Sequence, residues 1–580
     1  VRGKLGFAGR GVFAKLCAVA GAAFTDAKLR NSRKRFVHSP LNLFKTCMML
    51  ISTLLAPLAG AAAVMLWNRV ALRGIKYTAL VTSLAGFVFA LLAFVAFDPQ
   101  NPKMQMLVEQ SWISSIDAGF RIGVDGMSIL FVLLTSITMP VAVLASFFSI
   151  KEREKHWYAM LLLLQFSVVG IFMALDTFLF YTFFELLLIP MYFIIGVWGG
   201  EKRIYAALKF FIYTMFGSMI MLVGLVWLGL QAQAQFGHFT TNMMTLRDVA
   251  NTLDLDTQRW LFWAFTLAFC IKIPLFPFHT WLPDVQQEAP AVGSMIVGAA
   301  LFKIGVYGLI RFVLEFFPQA SFAYAQVMCW LAAIAVVYGG LVTLVQTDIK
   351  RMAAYALVCS LGVVVMGVFS MTPEGLQGAI IQTFNHGLSV AALFLCIGIV
   401  TERRRSTDLN AFGGLARTMP IFTVFFGISL FSLVGLPGLN GFVGEYLLLL
   451  GTFRSPFLNT WLFGIIGAVS GTLAAAYLLK LFQKIVFGKS ADVEFNSLGD
   501  VQPLEAVSLL PATILMIWIG VYPNFFMKYS EESTRALVAK LEVMKFGKTA
   551  YIESLQKMQL PSKPHDDKHG EGAEKESSKK

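Results

Sequence analysis

The chain has 580 residues, 57% of them hydrophobic and 14% charged, with a mean hydropathy of +0.69, which excludes a soluble globular protein. The net charge of +13 does not indicate a nucleic-acid binder, because residues 1–46 alone hold ten Lys/Arg against Asp26 and no folded basic domain accompanies them. Six cysteines without a C-x-x-C, and seven histidines without a pair at helical spacing in one span, argue against a disulfide framework, a zinc or iron–sulfur site and bis-histidine haem.

Residues 1–46 read as a basic N-terminal extension. Their Arg-rich, acid-poor composition is that of a transit peptide or of a basic surface arm, with an organellar setting the expectation. Fourteen apolar runs of about 20 residues then follow. They lie near 47–67, 78–97, 125–148, 159–175, 177–199, 207–231, 259–279, 290–315, 324–346, 351–371, 375–400, 419–453, 458–485 and 504–526. The fold class is therefore an all-α polytopic membrane protein with about 14 transmembrane helices. Basic loops (Arg69/Arg73/Lys76, Lys151–Lys155, Lys202/Arg203, Lys350/Arg351, Arg403–Arg405, Lys484/Lys489) fall on one side of the alternation, and Asp98, Asp117, Asp254 and Glu374 on the other. The positive-inside rule puts the basic side in the cytoplasm or matrix.

Ionisable residues inside these runs carry the functional signal, since one at the bilayer centre costs about 2.5–3.5 kcal/mol on insertion scales. Asp125, at the start of the third run, reads more simply as a carboxylate at a helix N-terminus. Glu185 sits mid-span in L-F-Y-T-F-F-E-L-L-L-I-P-M. Lys272 and Lys303 lie near the middles of two consecutive runs, and Pro274, Pro277 and Pro283 follow Lys272 closely. That helix should break at membrane depth, which is tolerated only where the backbone is buried in protein or lines a wet cavity. His386 centres the eleventh run, with imidazole able to relay protons near neutral pH. Pro437, Gly438, Gly441 and Gly444 interrupt the twelfth, with Glu445 in the apolar stretch beyond.

Two broken helices at corresponding places point to internal repeats sharing a site near the midplane. The expected divisions are 47–148 (helices 1–3), 159–315 and 324–485 (five spans each), 504–560 (a last span and an amphipathic segment) and a polar tail, 561–580. Glu185, Lys272, Lys303, His386 and Glu445 would together cost more than about 10 kcal/mol unpaired, so they must pair or be hydrated. A lysine beside an ionised glutamate keeps its proton and releases it when that charge is neutralised or drawn away. A row of such groups passes protons stepwise.

F-Y-T-F-F-E-L-L-L-I-P-M, C-I-K-I-P-L-F-P-F-H-T-W-L-P-D, Q-T-D-I-K-R and G-L-P-G-L-N-G-F-V-G-E-Y, within about Leu55–Pro523, resemble the antiporter-like, proton-translocating membrane subunits of NADH:ubiquinone oxidoreductase, respiratory complex I. Within that family Glu445 suits the subunit 4 (bacterial chain M) group, where subunits 2 and 5 usually carry lysine. The resemblance implies that Glu185 and Lys272 form the family's Glu–Lys pair, Lys303 and His386 its central relay, and Glu445 its terminal group. It also implies two inverted five-helix repeats, no cofactor in this chain, and other antiporter-like membrane subunits (2 and 5) as neighbours. The setting would be the mitochondrial inner membrane, with a bacterial plasma membrane as the alternative. A sodium/proton antiporter subunit of the Mrp type shares the motifs. A non-conducting scaffold is the other competing reading. Two positions depart from the family's pattern: Gln286 and Ser360 stand where histidine is usual, and Ser360 is expected to hold water bridging Lys303 and His386.

Overall fold

A computed structural model describes residues 40–67, 72–458, 461–488 and 499–547. The expected basic arm lies almost wholly outside these residues, as do the 561–580 tail and the end of the amphipathic segment. Twelve helices among the described residues are long and apolar enough to cross a membrane. They are α1 (Pro40–Leu66), α2 (Leu72–Ala96), α3 (Ile129–Ser149), α4 (Glu154–Met173), α5 (Thr177–Trp198), α6 (Arg203–Phe236), α10 (Ala291–Leu314), α11 (Pro318–Val345), α12 (Ile349–Phe369), α13 (Pro373–Arg404), α16 (Leu462–Phe487) and α17 (Pro503–Val521). A short helix, α7 (Met243–Thr252), joins the outer ends of two spans.

The two remaining apolar stretches are interrupted, as the prolines require. α8 (Leu255–Lys272) stops at the first proline pair, and α9 (Trp281–Glu288) resumes the path. Proline lacks an N–H and cannot continue the helical ladder. The carbonyls freed at the break are satisfied locally: Trp281 Nε1 donates to Ile271 O at 3.0 Å, and Leu275 N to Cys270 O at 2.9 Å. The second break separates α14 (Pro420–Val434) from α15 (Asn440–Arg454). It turns at Gly435, whose φ of 79° suits glycine and where any side chain would strike Glu445. Each expected five-span unit thus contains one broken helix.

Burial orders the bundle. The most apolar windows of α10 and α13 are entirely buried, whereas α1, α2, α6, α16 and α17 leave more than half of theirs uncovered. A helix apolar all round belongs in the interior. α10 and α13 form the core, and the peripheral helices present Val81, Val223, Phe216 and Val345 outward, as lipid-facing surfaces do. α10 can close on the first break because residue 305 is glycine. A Cβ there would lie 2.8 Å from Phe269 O and 3.0 Å from Ile273 N.

The all-α architecture carries one small addition. β1 (Gln105–Ile113) and β2 (Ala118–Val124) form an antiparallel hairpin on the outer side, with Gln110 opposite Phe120. It turns at Asp117, and Arg121 ties it to the helical body by donating to Asp117 Oδ1 at 2.7 Å and Asp176 Oδ2 at 2.8 Å. Asp176 also caps α5 by accepting from Phe178 N and Leu179 N. A final helix, α18 (Asn524–Phe546), packs on α13, α11 and α3, with Tyr529 stacked on Phe94 at 4.0 Å.

Candidate functional site

The centre of the site lies where the two fully buried helices meet. Lys303 comes from α10 and His386 from α13, and Lys303 Nζ is 3.1 Å from His386 Nδ1. When Lys303 carries its proton it has donors only, so Nδ1 then accepts and the ring proton sits on Nε2. Both residues are buried, Lys303 completely. The expected water bridge at this step is therefore misplaced, because the side chains touch directly. Lys303 also sits between two widened, π-helical segments of α10, Val297–Leu301 and Leu309–Leu314, a distortion found often at functional sites.

Lys272 ends α8 at the break, 1% exposed. Its ammonium has no hydrogen-bond partner among the described residues and stands over two rings, 4.7 Å from the centroid of Phe184 and 5.7 Å from that of Phe210. Glu185 lies near enough to attract it through space but does not touch it. The expected Glu–Lys pair is thus an electrostatic neighbourhood with an aromatic ring next to the ammonium. Aromatic faces attract a cation by about 0.5–2 kcal/mol. Tyr181, one turn before Glu185, faces both that carboxylate and Ser218.

On the other side of the centre, Gln382 stands one turn before His386 on α13 and donates to Glu445 Oε1 at 3.5 Å. As a neutral amide, Gln382 gave no charge signal in the sequence. Glu185 and Glu445 are half-buried, with Oε1 of Glu185 buried and without a hydrogen-bond partner among the described residues.

Both departures from the family's pattern bond to backbone carbonyls. Gln286 is buried, and its Nε2 donates to Ser294 O at 3.4 Å while Ser294 Oγ donates back to Gln286 O at 3.1 Å, fastening α9 to α10. Ser360 Oγ turns back to Ala356 O at 3.1 Å on its own helix, with the Tyr477 phenol beside it.

Three residues went unremarked in the sequence. His279 lies inside the first break, its ring 5.7 Å from Phe276 and 5.1 Å from Tyr338, and its Nδ1 has no partner among the described residues. Just below it on the basic side, Asp284 accepts from Lys209 at 2.7 Å and Arg351 at 3.0 Å. Arg311, near the outer end of α10, donates to Asp125 Oδ2 at 2.5 Å and Glu315 Oε1 at 2.9 Å. Asp125 lies just before α3, whose N-cap is Ser128, and its Oδ1 accepts from Met127 N and Ser128 N in the turn that leads into the helix.

Comparison with known proteins agrees with this geometry. The family model described as "NADH:quinone oxidoreductase/Mrp antiporter, TM" matches residues 174–471, which contain all five groups of the row. NADH-quinone oxidoreductase subunit M of Rickettsia bellii is 38% identical over 464 residues, covering 80% of this chain and 92% of that protein. NADH-ubiquinone oxidoreductase chain 4 of Marchantia polymorpha is 34% identical over 487 residues, covering 84% of this chain and 96% of that protein. A chain in the structure of respiratory complex I from Thermus thermophilus with bound NADH superimposes with a TM-score of 0.76 at 29% identity, over 85% of this chain and 99% of that one. The chain belongs to the NADH:quinone oxidoreductase/Mrp antiporter membrane family, on its subunit M/chain 4 branch.

Proposed function

We propose that this chain is a proton-translocating membrane-arm subunit of NADH:quinone oxidoreductase. It passes protons through Glu185, Lys272, Lys303, His386, Glu445 and intervening water, driven by quinone reduction elsewhere in the assembly. One observation carries the reading: an ammonium and an imidazole in direct contact, 3.1 Å apart, where the two most buried helices meet. Two groups able to exchange a proton, placed where each costs several kcal/mol to insert, have a functional rather than a packing rationale.

The role is acid–base, so the chain carries protons and no cofactor of its own, and it serves the oxidoreductase as a non-redox subunit. We take its neighbours in the membrane arm to be the antiporter-like subunits 2 and 5. The membrane is the mitochondrial inner membrane, given the basic arm at residues 1–46 and the resemblance to chain 4 of Marchantia polymorpha. An Mrp-type sodium/proton antiporter is the second reading, since the family description covers both.

The test is to isolate the assembly containing this chain and measure NADH-driven proton movement in sealed vesicles, with and without sodium. NADH–quinone turnover that acidifies one side independently of sodium supports the proposal. Sodium-dependent exchange without NADH oxidation favours the antiporter.

A further inference from the structure

The second break is closed by a polar clasp made of groups outside the row. Ser432, near the end of α14, donates its hydroxyl to Asn440 Oδ1 at 2.5 Å, so the first residue of α15 is tied back across the break. The same amide reaches sideways to α13, where Asn440 Nδ2 donates to Asn385 O at 3.1 Å and to Ser389 Oγ at 3.4 Å. Asn385 returns the bond, its Nδ2 donating to Asn440 O at 2.7 Å, and the Ser389 and Ser432 hydroxyls lie 2.5 Å apart. Asn385, Ser432 and Asn440 are completely buried, and Asn385 directly precedes His386 on α13.

The link that this clasp closes has little stiffness of its own. Pro437 stands between Gly435 and Gly438, which sit at φ of 79° and 92°, and neither glycine has a side chain to limit how the chain pivots. Glu445 leans on this same link, since a Cβ at residue 435 would lie 2.4 Å from Glu445 Oε2. Its Oε1 meets Gln382 of α13 at 3.5 Å. The carboxylate therefore has one oxygen against the break and one against the helix that carries His386. Asn440 is bonded to both of those supports.

We infer that Asn440 is a positioning residue for Glu445: by fastening the break to α13, it sets where the terminal carboxylate stands relative to His386. Its part in transport rests on the proton-translocating reading above. Asn440 itself carries no proton. The clasp is built from amides, hydroxyls and carbonyls, which do not titrate near neutral pH. Its bonds therefore stay the same while Glu445 and His386 gain and lose protons.

The experiment uses the assembled complex in membranes, comparing Asn440→Ala, Ser432→Ala and Lys272→Ala with wild type. One measurement is NADH-driven proton movement in sealed vesicles. The other is the rate at which a hydrophobic carbodiimide modifies Glu445, followed by mass spectrometry, with the half-buried Glu185 as the control carboxylate. Asn440→Ala should assemble and lower proton movement by about tenfold to a hundredfold, the scale of a misplaced reacting group. It should also change Glu445 modification severalfold while Glu185 reacts as in wild type. Ser432→Ala, which removes the hydroxyl held by Asn440 Oδ1, should move both measurements the same way by less. A merely structural role would alter both carboxylates alike, and that result overturns the inference. So does unchanged Glu445 modification, or normal proton movement, in assembled Asn440→Ala. If Asn440→Ala does not assemble, Ser432→Ala decides on the same two measurements. Normal proton movement in Lys272→Ala overturns the proton-translocating reading instead, and the carbodiimide rates alone then decide the positioning.

Discussion

Lys303 Nζ and His386 Nδ1 are 3.1 Å apart, although 83 positions separate them in the chain. Among the described residues neither has another polar side-chain contact, so this one sets what each variant should do. Asparagine at 386 can keep an acceptor near the ammonium but cannot carry a proton. His386→Asn should therefore preserve assembly while sharply lowering coupled proton movement. His386→Leu leaves a buried ammonium without an acceptor, and should also cost about 1–3 kcal/mol of stability. Thermal melting of the purified complex, run beside vesicle acidification, separates the two. Equal pumping in His386→Asn and wild type would remove the imidazole from the relay.

Lys272 is held differently. With Phe184 4.7 Å from its ammonium and no carboxylate in contact, its charge responds to Glu185 through space. Glu185→Gln should assemble but lose most NADH–quinone turnover and its coupled proton movement. Lys272→Arg should fail as well, because guanidinium keeps its proton. Phe184→Leu removes only the ring face, a stabilisation of about 0.5–2 kcal/mol, and should give a smaller loss than either. A Lys272→Arg variant that pumps normally would show that charge alone, without proton release, suffices at this position.

The parts of the fold visible in the sequence were those written in local chemistry. Pro274, Pro277 and Pro437 announce the breaks because a missing N–H acts within a turn of itself. The hairpin was not seen because the long apolar runs dominated a segment whose alternation covers only a few residues. Arg311 lay in plain view near the end of the eighth run. Its partner Asp125 is 186 positions away, and only tertiary packing brings them together. Gln382 was silent for the opposite reason, since an uncharged amide in an apolar helix does not look costly.

Ser360 was expected to mark a wet gap between Lys303 and His386. The two touch without it, and the serine hydroxyl is turned back to Ala356 O. A hydroxyl bonded to the carbonyl four residues earlier adds little to a helix. Ser360→Ala should then change stability by less than about 1 kcal/mol and leave proton movement near wild type. A many-fold loss of pumping in this variant would restore the serine to the path.

The outer side offers a test that does not depend on transport. Asp176 is completely buried and is the junction between hairpin and bundle: Oδ2 accepts from Gly119 N, Arg121 and Thr241, while Oδ1 caps α5. Removing one partner of a buried charge pair costs about 3–5 kcal/mol, so Asp176→Ala should lower the abundance of the chain in membranes. Asp117, at the exposed turn of the same hairpin, adds a pH signature. Burial pushes its carboxyl up, but the hydrogen bonds from Thr240 and Arg121 and the Arg121 charge outweigh it and hold it below the ordinary value. A depressed carboxyl contributes stability that is complete above the unfolded value, about 3.9, and is lost as pH falls through the lower folded value. Protection of peptides spanning 105–124 from hydrogen exchange, corrected for the intrinsic rate, should thus stay level from neutral pH down to about 4 and decline only below it. Asp117→Asn should lower that protection at neutral pH and flatten its acid decline. Protection already falling near pH 6 would mean that a group other than this carboxylate holds the hairpin to the bundle.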